Sequence, residues 1–177
     1  MVDQADFEDE AVQPPKVSRW GLMAYGVAAV VILLDQLSKY WVLDVAHLQD
    51  RSPIRVLPFF QLTMVWNPGV SFGMLRADSP TGRWLLVAFA LAIVTALVVW
   101  ARRISRPLLA LAVGFMLGGA LGNNLIDRVR YGAVADFLDF HALYFPWVFN
   151  IADSAITIGV ALLLLDSFVQ PKSPPAT

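Results

Sequence analysis

The chain contains no cysteine, which excludes disulfides, thiolate nucleophiles and cysteine-based zinc sites. Histidine is nearly as scarce: there are only His47 and His141, and no HExxH, so zinc-protease chemistry lacks its ligand set. Glutamate is confined to Glu8 and Glu10. From Gly21 onward all nine carboxylates are aspartates, so carboxylate chemistry in the body of the chain must use Asp. The net charge of −1 offers no basic excess for a nucleic-acid partner.

What the sequence has in abundance is apolar length. Of 177 residues, 58% are hydrophobic, against 45–50% in a typical soluble domain, and the mean hydropathy is +0.61. The natural second solvent is a bilayer. Four apolar stretches, at about 21–43, 84–100, 108–126 and 152–168, have the length of membrane spans. The expected architecture is an all-α bundle of four transmembrane helices within a single domain, residues 19–169. Residues 1–18, acidic and carrying Pro14 and Pro15, read as a disordered tail without the basic region of a signal peptide; residues 170–177 read as a second tail. Gly114, Gly118 and Gly122, spaced by four, form a small-xxx-small packing face.

Basic residues number six on each side of such a four-span arrangement. The dense "RRISR" loop with Arg102, Arg103 and Arg106 favours its side, and both termini with it, as cytoplasmic. The other two loops then face outward. In the first, "IRVLPFFQLTMVW" alternates imperfectly and "NPG" marks a turn, with "VSFGML" as a return strand. A small sheet at about 52–76 is expected there, lying on the membrane surface. The second outer loop, residues 127–150, is rich in aromatics and reads as an interfacial segment, partly a short helix.

Asp35, Lys39, Asn124, Asp127, Arg128, Asp136 and Asp153 all fall toward the outer end of this bundle. An acid deep in a bilayer costs about 2.5–3.5 kcal/mol on insertion scales, so such residues are functional or tightly paired. Taken alone, Asp35 and Lys39 read as an i,i+4 ion pair, Asp166 as a boundary residue, Asp139 as a solvated loop residue and His141 as an interfacial ring. Asp136 and Asp153 are different, because both sit in apolar runs. Two carboxyls sharing one dry site cannot both ionise cheaply; one keeps its proton, giving an acid and a base from identical side chains. A small ion- or proton-coupled transporter also places acids in spans, but nearer the midplane and often in repeated halves, and no internal repeat occurs here.

Five motifs appear in order: "DQLSKYW" at 35–41, "NPGVSFG" at 67–73, "GNNLIDR" at 122–128, "VADF" at 134–137 and "FNIAD" at 149–153. Together they resemble the lipoprotein signal peptidase (signal peptidase II) family of aspartic membrane proteases. The resemblance covers roughly residues 21–168. It implies four transmembrane helices, a small extracytoplasmic β-cradle and an interfacial loop helix. It also implies an endopeptidase of the bacterial cytoplasmic membrane that removes signal peptides from diacylglyceryl-modified prolipoproteins, cutting before the lipidated cysteine. The family's catalytic aspartates fall on Asp136 and Asp153. Its supporting or substrate-contacting residues fall on Asp35, Lys39, Asn67, Asn124, Asp127, Arg128 and Asn150. No metal or cofactor is implied; the expected partners are prolipoproteins and membrane lipid, and the expected state is monomeric. Ser71 stands where a small apolar residue is common.

Overall fold

A computed structural model describes residues 17–69 and 80–169. The first helix, α1 (Arg19–Tyr40), starts at Ser18, which composition had grouped with the tail. Ser18 Oγ accepts the N–H of Gly21 at 2.9 Å and donates to the carbonyl of Ile104 at 2.6 Å. It thus caps the helix and ties it to the loop between the second and third spans. The helix runs on through a wider π-helical turn, Trp41–Val45, to a short helix α2 (Leu48–Arg51). Strands β1 (Ile54–Leu57) and β2 (Phe60–Asn67) follow. Next come α3 (Pro80–Ala101) and α4 (Pro107–Ala120), the latter extended by a π-helical segment, Leu121–Asp127, and a last turn α5 (Arg128–Tyr131). Strand β3 (Val134–Asp139), strand β4 (Val148–Phe149) and helix α6 (Ile151–Val169) complete the described chain.

Four helical runs are long and apolar enough to cross a membrane: Arg19–Val45, Pro80–Ala101, Pro107–Tyr131 and Ile151–Val169. Leu33, Leu85, Phe89 and Leu164 stand exposed on their outer sides, as lipid-facing side chains do. The third run is the most enclosed, with α4 lying between α1 and α6. Lipid supplies no hydrophobic drive for helix association, so close backbone approach has to. A Cβ on Gly118 would lie 2.8 Å from the carbonyl of Ala28 in α1, and one on Gly119 would lie 2.5 Å from that of Ala152 in α6. Neither position has room for a side chain.

At one end of the bundle the strands form a single antiparallel sheet in the order β1-β2-β3-β4. A small sheet was expected here, but residues 54–66 read as one alternating stretch. The chain instead turns at Pro58 and Phe59 into the β1–β2 hairpin, and the second partner of β2 was not expected either. Val65 pairs with Asp136 and Asn67 with Val134, so β2 pairs with the second outer loop. The return strand expected at 70–75, and Ser71 in it, lie outside the described residues, as do residues 1–16 and 170–177. The segment read as interfacial and partly helical is built around β3, with helical turns only at its start and at His141–Leu143. Its sequence hid the strand because β3 is enclosed on both faces, and such a strand shows no alternation. Beneath the sheet, Val42, Leu43, Leu48, Leu62, Ala135 and Phe137 form a second apolar core that fixes it to the end of α1.

Candidate active site

Where the sheet meets the bundle, polar side chains from strands β2 and β3, helices α1 and α6 and the end of the third span converge. Asp136 is carried by β3 and is 3% exposed. Its Oδ2 accepts from Asn67 Nδ2 at 3.1 Å and its Oδ1 from Asn150 Nδ2 at 2.7 Å. Asn67 is itself oriented, because its Oδ1 accepts the N–H of Gly69 at 3.0 Å. Burial first, and then the charge of Asp153, push the Asp136 carboxyl up to about 7.

Asp153 occupies the first turn of α6. Its Oδ1 accepts from Asn123 Nδ2 at 2.8 Å and its Oδ2 accepts the backbone N–H of Asn150 at 3.3 Å. In return the Asp153 N–H donates to Asn150 Oδ1 at 2.9 Å. Asn150 and Asp153 therefore form a reciprocal capping box at the start of α6. Asn150, fully buried, touches both aspartates and also donates to Asn123 Oδ1 at 2.9 Å.

Below this pair lies a charged layer. Lys39, 1% exposed, places Nζ 2.7 Å from Asp35 Oδ2, 2.7 Å from Asp127 Oδ2 and 2.8 Å from Asn123 Oδ1. All three ammonium donors are used, which is what a buried lysine requires. A Cβ on Gly122 would fall 2.7 Å from Asp35 Oδ2, so this glycine leaves the space the carboxylate fills. Arg128 is also buried; Nη1 donates to the carbonyl of Pro68 at 3.1 Å and Nη2 to that of Gly69. It grips the turn that follows Asn67.

The residues singled out in the sequence thus converge, except Asn124. That side chain is half-buried and makes no hydrogen bond to the network among the described residues. Its neighbour Asn123 makes them. Gln36 was also missed: its Nε2 donates to Asp35 Oδ2 at 3.1 Å and to Asp127 Oδ1 at 3.0 Å. The sequence signal for Gln36 was adjacency to Asp35 and for Asn123 adjacency to Asn124 in the same motif, and neither signal chooses between neighbours. Asp139 is not the solvated loop residue expected. It is 2% exposed on β3 and accepts from Gln61 at 2.7 Å, Thr63 at 2.6 Å and the His141 N–H at 2.9 Å, with the His141 ring against it. Burial opposes its ionisation, but these donors outweigh it and hold the carboxyl well below the usual range. Among the described residues no cluster of three or more His, Cys, Asp or Glu has metal-binding geometry.

The family described as Signal peptidase (SPase) II matches residues 27–169. This chain belongs to the signal peptidase II family. The lipoprotein signal peptidase of Caulobacter vibrioides is 54% identical over 157 residues, covering 89% of this chain and 93% of that protein. That of Beijerinckia indica is 48% identical over 150 residues, covering 84% and 89%. Two solved structures described as bacterial membrane enzymes, determined by the in meso method at 2.3 and 1.9 Å, share the fold. Their TM-scores are 0.71 and 0.72, at 28% and 29% identity, covering 93% and 89% of this chain and 99% of each of those. As a signal peptidase II, the protein is a membrane-spanning aspartic protease, and the transporter reading is without support.

Proposed function

We propose that this signal peptidase II cleaves diacylglyceryl-modified prolipoproteins just before the lipidated cysteine, with Asp136 and Asp153 as acid and base. The family membership carries the reaction class. The observation that favours these two aspartates is that Asn150 hydrogen-bonds both, in a site walled by buried groups. One carboxylate takes a proton from water, and the other, protonated, hydrogen-bonds the scissile carbonyl. Water attack gives a tetrahedral diol. Proton return to the amine then breaks the C–N bond and frees the lipidated cysteine. Acid–base help of this kind contributes roughly 10²–10⁴-fold. The shared proton belongs to the pair.

In this proposal Asn67, Asn123 and Asn150 hold the carboxyls, while Asp35, Lys39 and Asp127 hold the elements that carry them. Arg128 shapes the turn at Pro68 and Gly69, and Asn124, which is outside the network, is the side chain left to hydrogen-bond the substrate backbone. The aspartates lie at the sheet end of the bundle, and the short loop with Arg102, Arg103 and Arg106 lies at the other. The positive-inside rule then puts both termini in the cytoplasm and the site at the outer face of the inner membrane. Acyl chains remain in lipid while the peptide reaches the site. The catalytic unit is residues 19–169, acting as a monomer. Pairing of β3 with β2 leaves His141 to Trp147 as the part of the second outer loop that closes over substrate.

The test is cleavage of a diacylglyceryl-modified prolipoprotein by purified protein in detergent. Wild type cuts before the modified cysteine; Asp136→Asn and Asp153→Asn fold and are inactive. Near-normal activity in either variant would overturn the pair.

A further inference from the structure

The residues immediately before the two proposed catalytic aspartates are anchored alike. Asp35 Oδ1 accepts the backbone N–H of Ala152 at 3.1 Å, one residue before Asp153. Asp127 Oδ2 accepts the backbone N–H of Ala135 at 3.2 Å, one residue before Asp136. Asp35 and Asp127 are both fully buried. Each therefore acts on the backbone of a different dyad-bearing element: Asp35 on the first turn of α6, Asp127 on β3.

Two donors from α1 join these anchors. Lys39 Nζ lies 2.7 Å from each Oδ2, and Gln36 Nε2 reaches Asp35 Oδ2 at 3.1 Å and Asp127 Oδ1 at 3.0 Å. The spacing of the anchors is fixed by what bridges them. Their backbone bonds pass that spacing to Ala135 and Ala152, and so to the neighbouring aspartates. We infer that Gln36, with Lys39, is a positioning residue that sets the separation of the Asp136 and Asp153 carboxyl groups. It acts through Asp35 and Asp127 and contacts no substrate. The inference rests on the reading of Asp136 and Asp153 as the catalytic pair.

Separation matters because two carboxyls hold one shared proton only while their charges repel. That repulsion falls with distance. The pH range over which the pair carries a single proton, and over which it is active, narrows as the carboxyls move apart. Gln36 is the informative position because it is neutral. Replacing it with methionine removes two hydrogen bonds and no charge. The charged groups around the pair are Lys39 and Asp35 from α1 and Asp127 and Arg128 from the end of the third span. None of these side chains is replaced in that variant, so a narrowing of the active range, as distinct from a shift of the whole profile, reports the separation of the carboxyls.

The experiment measures kcat and KM of the full chain in detergent on a diacylglyceryl-modified prolipoprotein peptide, from about pH 4 to pH 9. Wild type is compared with Gln36→Met and Gln36→Glu, with Asp136→Asn and Asp153→Asn as controls. Gln36→Met is expected to lower kcat on the order of tenfold, leave KM within about twofold and narrow the active pH range. Gln36→Glu keeps the shape but sets an acceptor against two carboxylates, so it loses more. A wild-type kcat, or a lower kcat with a pH range of wild-type width, overturns the positioning role. An active Asp136→Asn or Asp153→Asn overturns the catalytic assignment instead, so the two failures are distinguishable.

Discussion

Asn150 and Asp153 cap each other: the Asp153 N–H donates to Asn150 Oδ1 at 2.9 Å, and the Asn150 N–H donates to Asp153 Oδ2 at 3.3 Å. A proposed catalytic carboxyl is thereby also a helix-capping group. The Asn150 amide left over from the cap reaches Asp136 Oδ1 at 2.7 Å. Helix start and proposed active site are one hydrogen-bonded unit.

Replacement of Asn150 separates the two roles. Asn150→Ser keeps an N-capping oxygen and loses the amide that reaches Asp136. It is expected to lose activity by about 10²-fold, and to lose some stability because Asn123 Oδ1 and the Ala135 carbonyl lose the same donor. Asn150→Ala loses both, with a further cost of about 1 kcal/mol in stability. Thermal unfolding in detergent beside single-turnover cleavage checks this; wild-type activity in Asn150→Ser would refute it.

The pH dependence follows from Asp136. Its folded value of about 7 lies above the ordinary 3.8, so between those values the folded protein holds a proton that the unfolded chain has lost. The stabilising contribution is complete below pH 3.8 and is lost as pH rises through about 7. Activity that needs the shared proton is expected to fall on the alkaline side of the same value. A Tm series across this range, flattened in Asp136→Asn, and a kcat profile of wild type measure both.

Asp139 has the opposite sign. Its carboxyl is held below the ordinary value, so its contribution is present above pH 3.8 and lost as pH falls through its lower folded value. Asp139→Asn leaves Thr63, Gln61 and His141 short of an acceptor and is expected to cost about 1–3 kcal/mol at neutral pH. Tm should drop at pH 7 and lose its acid-side slope. An unchanged Tm would show that this cluster does not hold β3 to β2.

Gly122→Ala brings a Cβ to 2.7 Å from Asp35 Oδ2 and should push that carboxylate off Ala152, lowering both stability and kcat. Gly26→Ala is the control, since a Cβ there meets nothing within 4 Å. Comparable losses in both variants would mean that glycine acts in these helices by some route other than close approach.

Four spans were legible because membrane crossing is a local property: length and apolar content decide it. The gathering of Asp35, Asp127, Asp136 and Asp153 at one end came from counting crossings. The motifs carried the family and singled out Asp136 and Asp153. The sequence could not settle which neighbour faces inward. Asn123 rather than Asn124 joins the network, in a π-helical segment whose wider turn changes the phase of the residues beyond it. Gln36 looked like an ordinary polar helix residue until α4 was packed against α1. Strand β3 showed no alternation because it is buried on both faces, and Asp139 looked solvated because its partners Gln61 and Thr63 lie more than seventy residues away in sequence. The sequence by itself determined the spans, the end of the bundle where the acids meet and the family. Tertiary structure alone decided which amides hold them, because hydrogen-bond partners distant in the chain are chosen by helix phase and strand register, and neither is written in any local window.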